Sequence, residues 1–210
     1  DDVGDDVGNV LLDDVNLKSF SSKIIAQKIA ILTQSPEAPS DLTVRDLVEL
    51  GRFPYRSWLR KETTEDLKSV QWAMEETNLI PFSERLVNTL SGGERQRAWI
   101  AMALAQKPSV LLLDEPTTYL DIAHQLEVMT LLRKVNVETG ITVMMVLHDL
   151  NHAYQYSDYV AVIKSGELFA SGLTNEIISE QLMQEVFQVQ VDMLEASNGK
   201  LSILPVGLNK

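Results

Sequence analysis

The chain has 210 residues, a formal net charge of −12, 45% hydrophobic and 23% charged residues, and no cysteine. That size and balance suit a globular protein with a sizeable core, whereas an acidic surplus of this kind argues against a nucleic-acid partner. Without cysteine there is no disulfide framework or thiolate metal site, and no apolar run nears the roughly 18 residues of a membrane span. The start is acidic rather than basic and then apolar, so no secretory signal is read there and a cytoplasmic protein is expected.

Residues 1–8 repeat Asp-Asp-Val-Gly twice. Such a stretch has nothing to bury and is expected to be a disordered acidic start. Gly8-Asn9-Val10-Leu11-Leu12-Asp13 reads as a short strand, and Ser19 to Lys28 as a polar, helical connector. Ile29-Ala30-Ile31-Leu32-Thr33-Gln34 reads as a buried strand ending in a polar residue, where Gln34 could cap the strand or begin a turn. Ser35-Pro36-Glu37-Ala38-Pro39-Ser40 marks a boundary. From Leu42 the apolar spacing turns helical, with Val44, Leu47, Val48 and Leu50, until Gly51-Arg52-Phe53-Pro54-Tyr55 breaks it. A second helix is expected from Glu65 to Asn78, with Trp72 in the core. Residues 41–90 thus read as a mostly helical lobe.

Ser91 and Glu94 have the spacing of a capping box, and Gly92 and Gly93 let the backbone of that first turn come close to whatever lies before it. A helix start of this kind suits an anion such as phosphate. The helix should run from about Gly92 to Gln106, ending at Lys107-Pro108. Val110-Leu111-Leu112-Leu113-Asp114-Glu115-Pro116 follows as a strand ending in adjacent carboxylates, able to hold a metal ion and activate a water. Asp121 reads as the cap of a helix continuing through Gln125 to Val137, and Thr142 to Leu147 as a buried strand with His148 and Asp149 at its end. His148 and His152 stand four apart, as in zinc proteases, but Asp149 replaces the required Glu and His124 is the only other histidine, so a zinc site is disfavoured and His152 is expected at the surface. Tyr159–Ile163 and Glu167–Ala170 should form a hairpin around Lys164-Ser165-Gly166. The tail should hold one helix, Asn175 to Phe187, and two strands around Asn198-Gly199.

On Leu90 to Gln96 and Val110 to Glu115, the sequence resembles the ATP-binding subunit of an ABC transporter, from about Gly8 to the C-terminus. Residues 51–55, 117–125 and the tail look like the iron-siderophore importer branch. The resemblance implies an α/β fold: a P-loop NTPase-like ABC ATPase core (residues 9–40 and 104–173), incomplete at the N-terminus, with an inserted helical signature subdomain (41–103) and a C-terminal helix and strands (174–210). It also implies ATP and Mg2+ as cofactors. Glu115 would polarise the attacking water, Asp114 hold the metal through water, and Gln34 link metal, water and permease. His148 would stabilise the γ-phosphate. Ser91, Gly92, Gly93 and Glu94 would clasp the nucleotide across a dimer, and Asp121 join the two sites. The implied partners are a second ATP-binding subunit and transmembrane permease subunits, on the cytoplasmic face of the membrane, with no nucleic acid.

One expected motif is missing from these residues. The chain contains no G-x-x-x-x-G-K-[ST], its only Gly-Lys pair being Gly199-Lys200, and it reads as starting just past the phosphate loop and its helix. Three lost charge-assisted hydrogen bonds remove about 4.5–9 kcal/mol, more than the ~4 kcal/mol of a millimolar site. Negligible ATP binding by the isolated chain is therefore expected. A homodimer would have a P-loop in neither composite site, whereas an intact subunit could be completed by Ser91-Gly92-Gly93. The second reading is a degenerate, non-catalytic subunit that binds a partner, or a truncated copy of an intact ATPase.

Overall fold

The computed structural model describes residues 8–34, 36, 39–56, 62–195, 199 and 201–209. The expectations for residues 1–7, for part of the 35–40 boundary, and for Asn198 and Lys200 lie outside them. The chain divides into two compact units, Asp1–Val146 and Leu147–Lys210.

The first unit opens with β1 (Leu11–Leu12) and β2 (Val15–Asn16), an antiparallel pair in place of the single strand expected over residues 8–13. Asp13 and Asp14 turn the chain with φ of 51° and 62°, the left-handed pair that a two-residue hairpin needs. Ser21 then caps α1 (Ser22–Lys28), which leads directly into β3 (Ile29–Leu32). β3, β4 (Val110–Asp114) and β5 (Thr142–Val146) form a parallel sheet with β4 in the centre. α4 (Gly92–Ala105) and α5 (Ile122–Thr139) pack on one face of it, and α2 (Val44–Leu50) and α3 (Thr64–Glu76) pack on α4. The α2 and α3 starts both carry complete Thr-x-x-Asp capping boxes, from Thr43 to Asp46 and from Thr63 to Asp66. Gly140, at φ 72°, ends α5 in the left-handed conformation.

α4 is the centre of the helical layer. From Ala98 to Ala105 all but Met102 are buried, so small side chains admit neighbours on several sides. Trp72 is half-buried against this core and carries Lys107 Nζ 4.7 Å from its ring centroid.

The two faces of the sheet differ. Ala30, Leu32, Leu111 and Leu113 point into the core, with Val143 and Met145 packed beside them. On the other face Ile31 and Met144 flank Leu112 in register and are 64% and 65% exposed. Parallel sheets are ordinarily covered on both faces, and among the described residues nothing covers this apolar row. Met144→Thr is therefore expected to change unfolding free energy by less than about 0.5 kcal/mol while reducing binding of a hydrophobic dye. Leu111→Ala, on the covered face, should lose about 2–5 kcal/mol. Chemical denaturation and dye fluorescence on the two variants check the contrast.

The second unit pairs β6 (Tyr159–Lys164) with β7 (Glu167–Leu173), and β8 (Val189–Glu195) with β9 (Leu201–Leu208), both antiparallel. α6 (Leu150–Tyr156) is pinned to β9 by Asn151, which donates to Ile203 O (3.1 Å) and accepts from Ile203 N (2.7 Å). Two expectations fail here. His152 is 8% exposed, not at the surface, with its ring edge-on to Tyr156. The single helix expected from Asn175 to Phe187 is broken into α7 (Thr174–Ile177), α8 (Glu180–Leu182) and a π-turn over Met183–Phe187. Ser179, extended at φ −146°, caps a fresh start on Leu182 N, and burial of Ile178, Leu182 and Met183 in one cluster favours the break.

Candidate functional site

β4 delivers two carboxylates at its carboxyl end, where ligands of open α/β sheets bind. Asp114, the last residue of the strand, is exposed. Glu115 follows with φ 48°, a conformation uncommon for a residue with a side chain and frequent at functional sites. Pro116 is buried behind it, which holds the turn in place.

Two donors converge on one oxygen of Glu115. Gln34 Nε2, just beyond the end of neighbouring β3, donates to Oε2 at 2.6 Å, and Thr118 Oγ1 donates to the same atom at 2.8 Å. The parallel pairing of β3 with β4 places the two strand ends side by side and so brings together residues 81 positions apart. With its amide donating to Glu115, Gln34 keeps a carbonyl oxygen to offer elsewhere. Asp114 and Gln34 are oxygen donors of the hard type that Mg2+ takes, usually one or two from protein with phosphates and waters completing the shell. Among the described residues no group of three or more His, Cys, Asp or Glu side chains forms a metal cage.

The α4 start has the predicted box. Ser91 Oγ accepts from Glu94 N (3.3 Å), and Ser91 N donates to Glu94 Oε2 (2.8 Å). The Ser91 amide, ahead of the effect of burial, holds the Glu94 carboxyl below its usual range. Ser91 and Gly92 are exposed, while Gly93 is buried against the ring of His124. The segment after Glu115 runs to Asp121, which caps α5 by accepting from His124 N (3.0 Å). Asp121 also lies 2.9 Å from His124 Nδ1, and these bonds, the backbone one first, keep its carboxyl low.

The structure therefore unites Gln34 with Glu115, and links Asp121 to the α4 tip through His124. His148 is exposed, two residues beyond β5 at the start of the second unit. Sequence reasoning missed Thr118, whose only signal is a hydroxyl three residues after a strand-end Glu. It also gave no role to His124, three residues after a helix cap.

A family profile described as ABC transporter matches residues 2–118. The petrobactin import ATP-binding protein FpuC of Bacillus anthracis is 47% identical over 190 residues, covering 90% of this chain and 70% of that protein. The iron(3+)-hydroxamate import ATP-binding protein FhuC of Bacillus subtilis is 48% identical over 187 residues, covering 89% and 70%. Among solved structures, a dimeric post-hydrolysis state of an ATP-binding cassette bound to ADP and Pi superposes with a TM-score of 0.67 at 32% identity, covering 80% of this chain and 73% of that one.

Proposed function

The chain belongs to the ABC transporter family, and we propose that it is the ATP-binding, ATP-hydrolysing subunit of an importer for iron-siderophore complexes. The observation that carries this reading is the strand-end Glu115, oriented by Gln34 and Thr118 through one oxygen. A carboxylate held by two donors is aimed at one place, which is what positioning a water for in-line attack on a γ-phosphate requires. Gln34 couples the end of β3, and the helical lobe beyond it, to that carboxylate. Asp114 and Gln34 would hold Mg2+, which when bound neutralises charge on the phosphates. His148 would face the γ-phosphate. Exposed Ser91 and Gly92, with Gly93 and Glu94 shaping the turn, would present backbone amides and the helix dipole to the triphosphate of a second ATP-binding subunit. Asp121 would join the two sites. Uptake of iron-siderophore complexes is what the names of relatives nearly half identical in sequence describe. Among the described residues no helix is long and apolar enough to cross a membrane. The chain would be a peripheral subunit docked on permease subunits at the cytoplasmic face.

In this reading each site needs a P-loop from one subunit and the Ser91-Gly92-Gly93 tip from the other. None of the 210 residues forms a P-loop motif. Calorimetric titration of the 210-residue chain with Mg-ATP should therefore show affinity no better than about millimolar. Mixed with an intact subunit of the family, the chain should associate when ATP is present. Micromolar binding by the chain alone would overturn the composite arrangement.

A further inference from the structure

The geometry points to His124 as a positioning residue that locks the Asp121 turn to the tip of α4 within one subunit. Three observations carry it. First, Gly93 has room for no side chain: a Cβ built there would lie 2.1 Å from His124 Cδ2 and 2.5 Å from Cγ. The imidazole edge thus rests on the backbone of the helix start, at a distance only glycine permits. Second, the ring is not free to swing away, because Nδ1 is 2.9 Å from Asp121 Oδ1 while the same oxygen accepts from the His124 amide at 3.0 Å. Third, the contact continues along the helices. One turn further into α4, Arg97 Nη1 donates to Glu127 Oε2 on α5, and at the tip Leu120 Cδ2 reaches within 3.6 Å of a Cβ built on Gly92.

A displacement of Asp121 must therefore turn the imidazole, and a turned imidazole must push or release Gly93. The two segments move as one piece. If Ser91-Gly92 and Asp121 both face a partner subunit, as the proposed function has it, an event felt by either is conveyed to the other without passing through the nucleotide. That consequence rests on the proposed function, whereas the linkage itself does not.

Hydrogen exchange on the 210-residue chain tests the linkage directly. The readout is the exchange of the Glu94 and Arg95 amides, normalised to Val70 and Met74 in α3 so that general loosening cancels. Asp121→Ala should speed Glu94 and Arg95 roughly fivefold to tenfold, the equivalent of one lost hydrogen bond. In a His124→Phe background, which keeps a ring but cannot bond Asp121, the same substitution should add nothing. His124→Asn keeps a donor for Asp121 but withdraws the ring from Gly93. It should therefore preserve protection of the position-124 amide while speeding Glu94 and Arg95. Independently, Gly93→Ala should lower the melting temperature in the native background, and the drop should shrink by at least half in His124→Ala. Unchanged Glu94 and Arg95 exchange in Asp121→Ala, or an equal effect with Phe at 124, overturns the linkage. ATP-dependent pairing with an intact subunit separately decides the functional reading, so the two failures are distinguishable.

Discussion

Replacing Arg52 with alanine is expected to lower the unfolding free energy of the first unit by about 3–5 kcal/mol, the range for removing one partner of a buried ion pair. The Arg52 and Asp66 side chains are 5% and 7% exposed, and Nε meets Oδ1 at 2.9 Å. Arg52 also donates from Nη1 to Ala105 O (2.9 Å), satisfying a carbonyl at the end of α4, and stacks 3.9 Å from the Tyr55 ring centroid. Tyr55 OH in turn donates to Gln27 O, and Gln27 Nε2 to Pro54 O, so the guanidinium ties the end of α2 to α3 and α4 while the ring it stacks on is held to α1. Alanine would leave Asp66 charged and buried with only the Thr63 cap. Lysine should recover part of the loss, having no planar fork to serve Asp66 and Ala105 together. Tryptophan fluorescence in urea is the measurement, because Trp99 lies in the core of the first unit and Trp72 packs against it.

Acid titration of the same unit should show the pair as well. Burial pushes the Asp66 carboxyl up, but hydrogen bonds from Thr63 and Arg52 together outweigh it and hold the pKa at about 2, against 3.8 ordinarily. A depressed carboxylate contributes stability above its unfolded pKa, and here the contribution is lost as the pH falls from about 4 through 2. Linkage puts it at about 2 kcal/mol. The Arg52→Ala variant should start its acid transition at higher pH, since the donors opposing burial are fewer.

The elements that could be read from sequence are those whose signals are local. β3, β4 and β5 are short aliphatic runs, and α2, α3 and α4 each begin with a capping box that fixes the first turn whatever surrounds it. The tail resisted reading because Ile177, Ile178, Leu182 and Met183 have helical spacing yet pack into one cluster only if the helix restarts at Ser179. His152 misled for the same reason: nothing local to α6 says that its ring side will be covered. At the candidate site, Asp114, Glu115 and the α4 tip are contiguous motifs. The Gln34–Glu115 bond, the Thr118 donor, the Gly93–His124 contact and the Arg52–Asp66 pair depend on strands and helices meeting. A glycine reads as freedom in sequence, and only the structure reveals Gly93 as a place where a neighbour's ring must fit.

Ser91→Asp should reduce ATP hydrolysis by a mixed pair, this chain with an intact subunit, by about 10²–10³-fold, the loss seen when a preorganised anion-stabilising contact is removed. Glu115→Gln in the same pair should leave the rate within about twofold, a difference of under 0.5 kcal/mol in barrier height. The asymmetry follows from the composite site. In the proposed arrangement the one complete site would take its P-loop, its acidic strand and its base from the intact partner, and only the α4 tip from this chain. Glu115 would serve the other site, where these 210 residues bring no phosphate loop. Aspartate at 91 is chosen because it caps a helix as well as serine does, so α4 and its melting temperature should survive. What changes is the charge at the exposed tip, placed against a triphosphate that the helix dipole would otherwise attract. Steady-state phosphate release from the mixed pair, with melting curves for each variant, supplies both readouts. Equal losses from the two substitutions would mean that Glu115 works on a nucleotide bound by its own chain, and the division of labour between subunits would have to be abandoned.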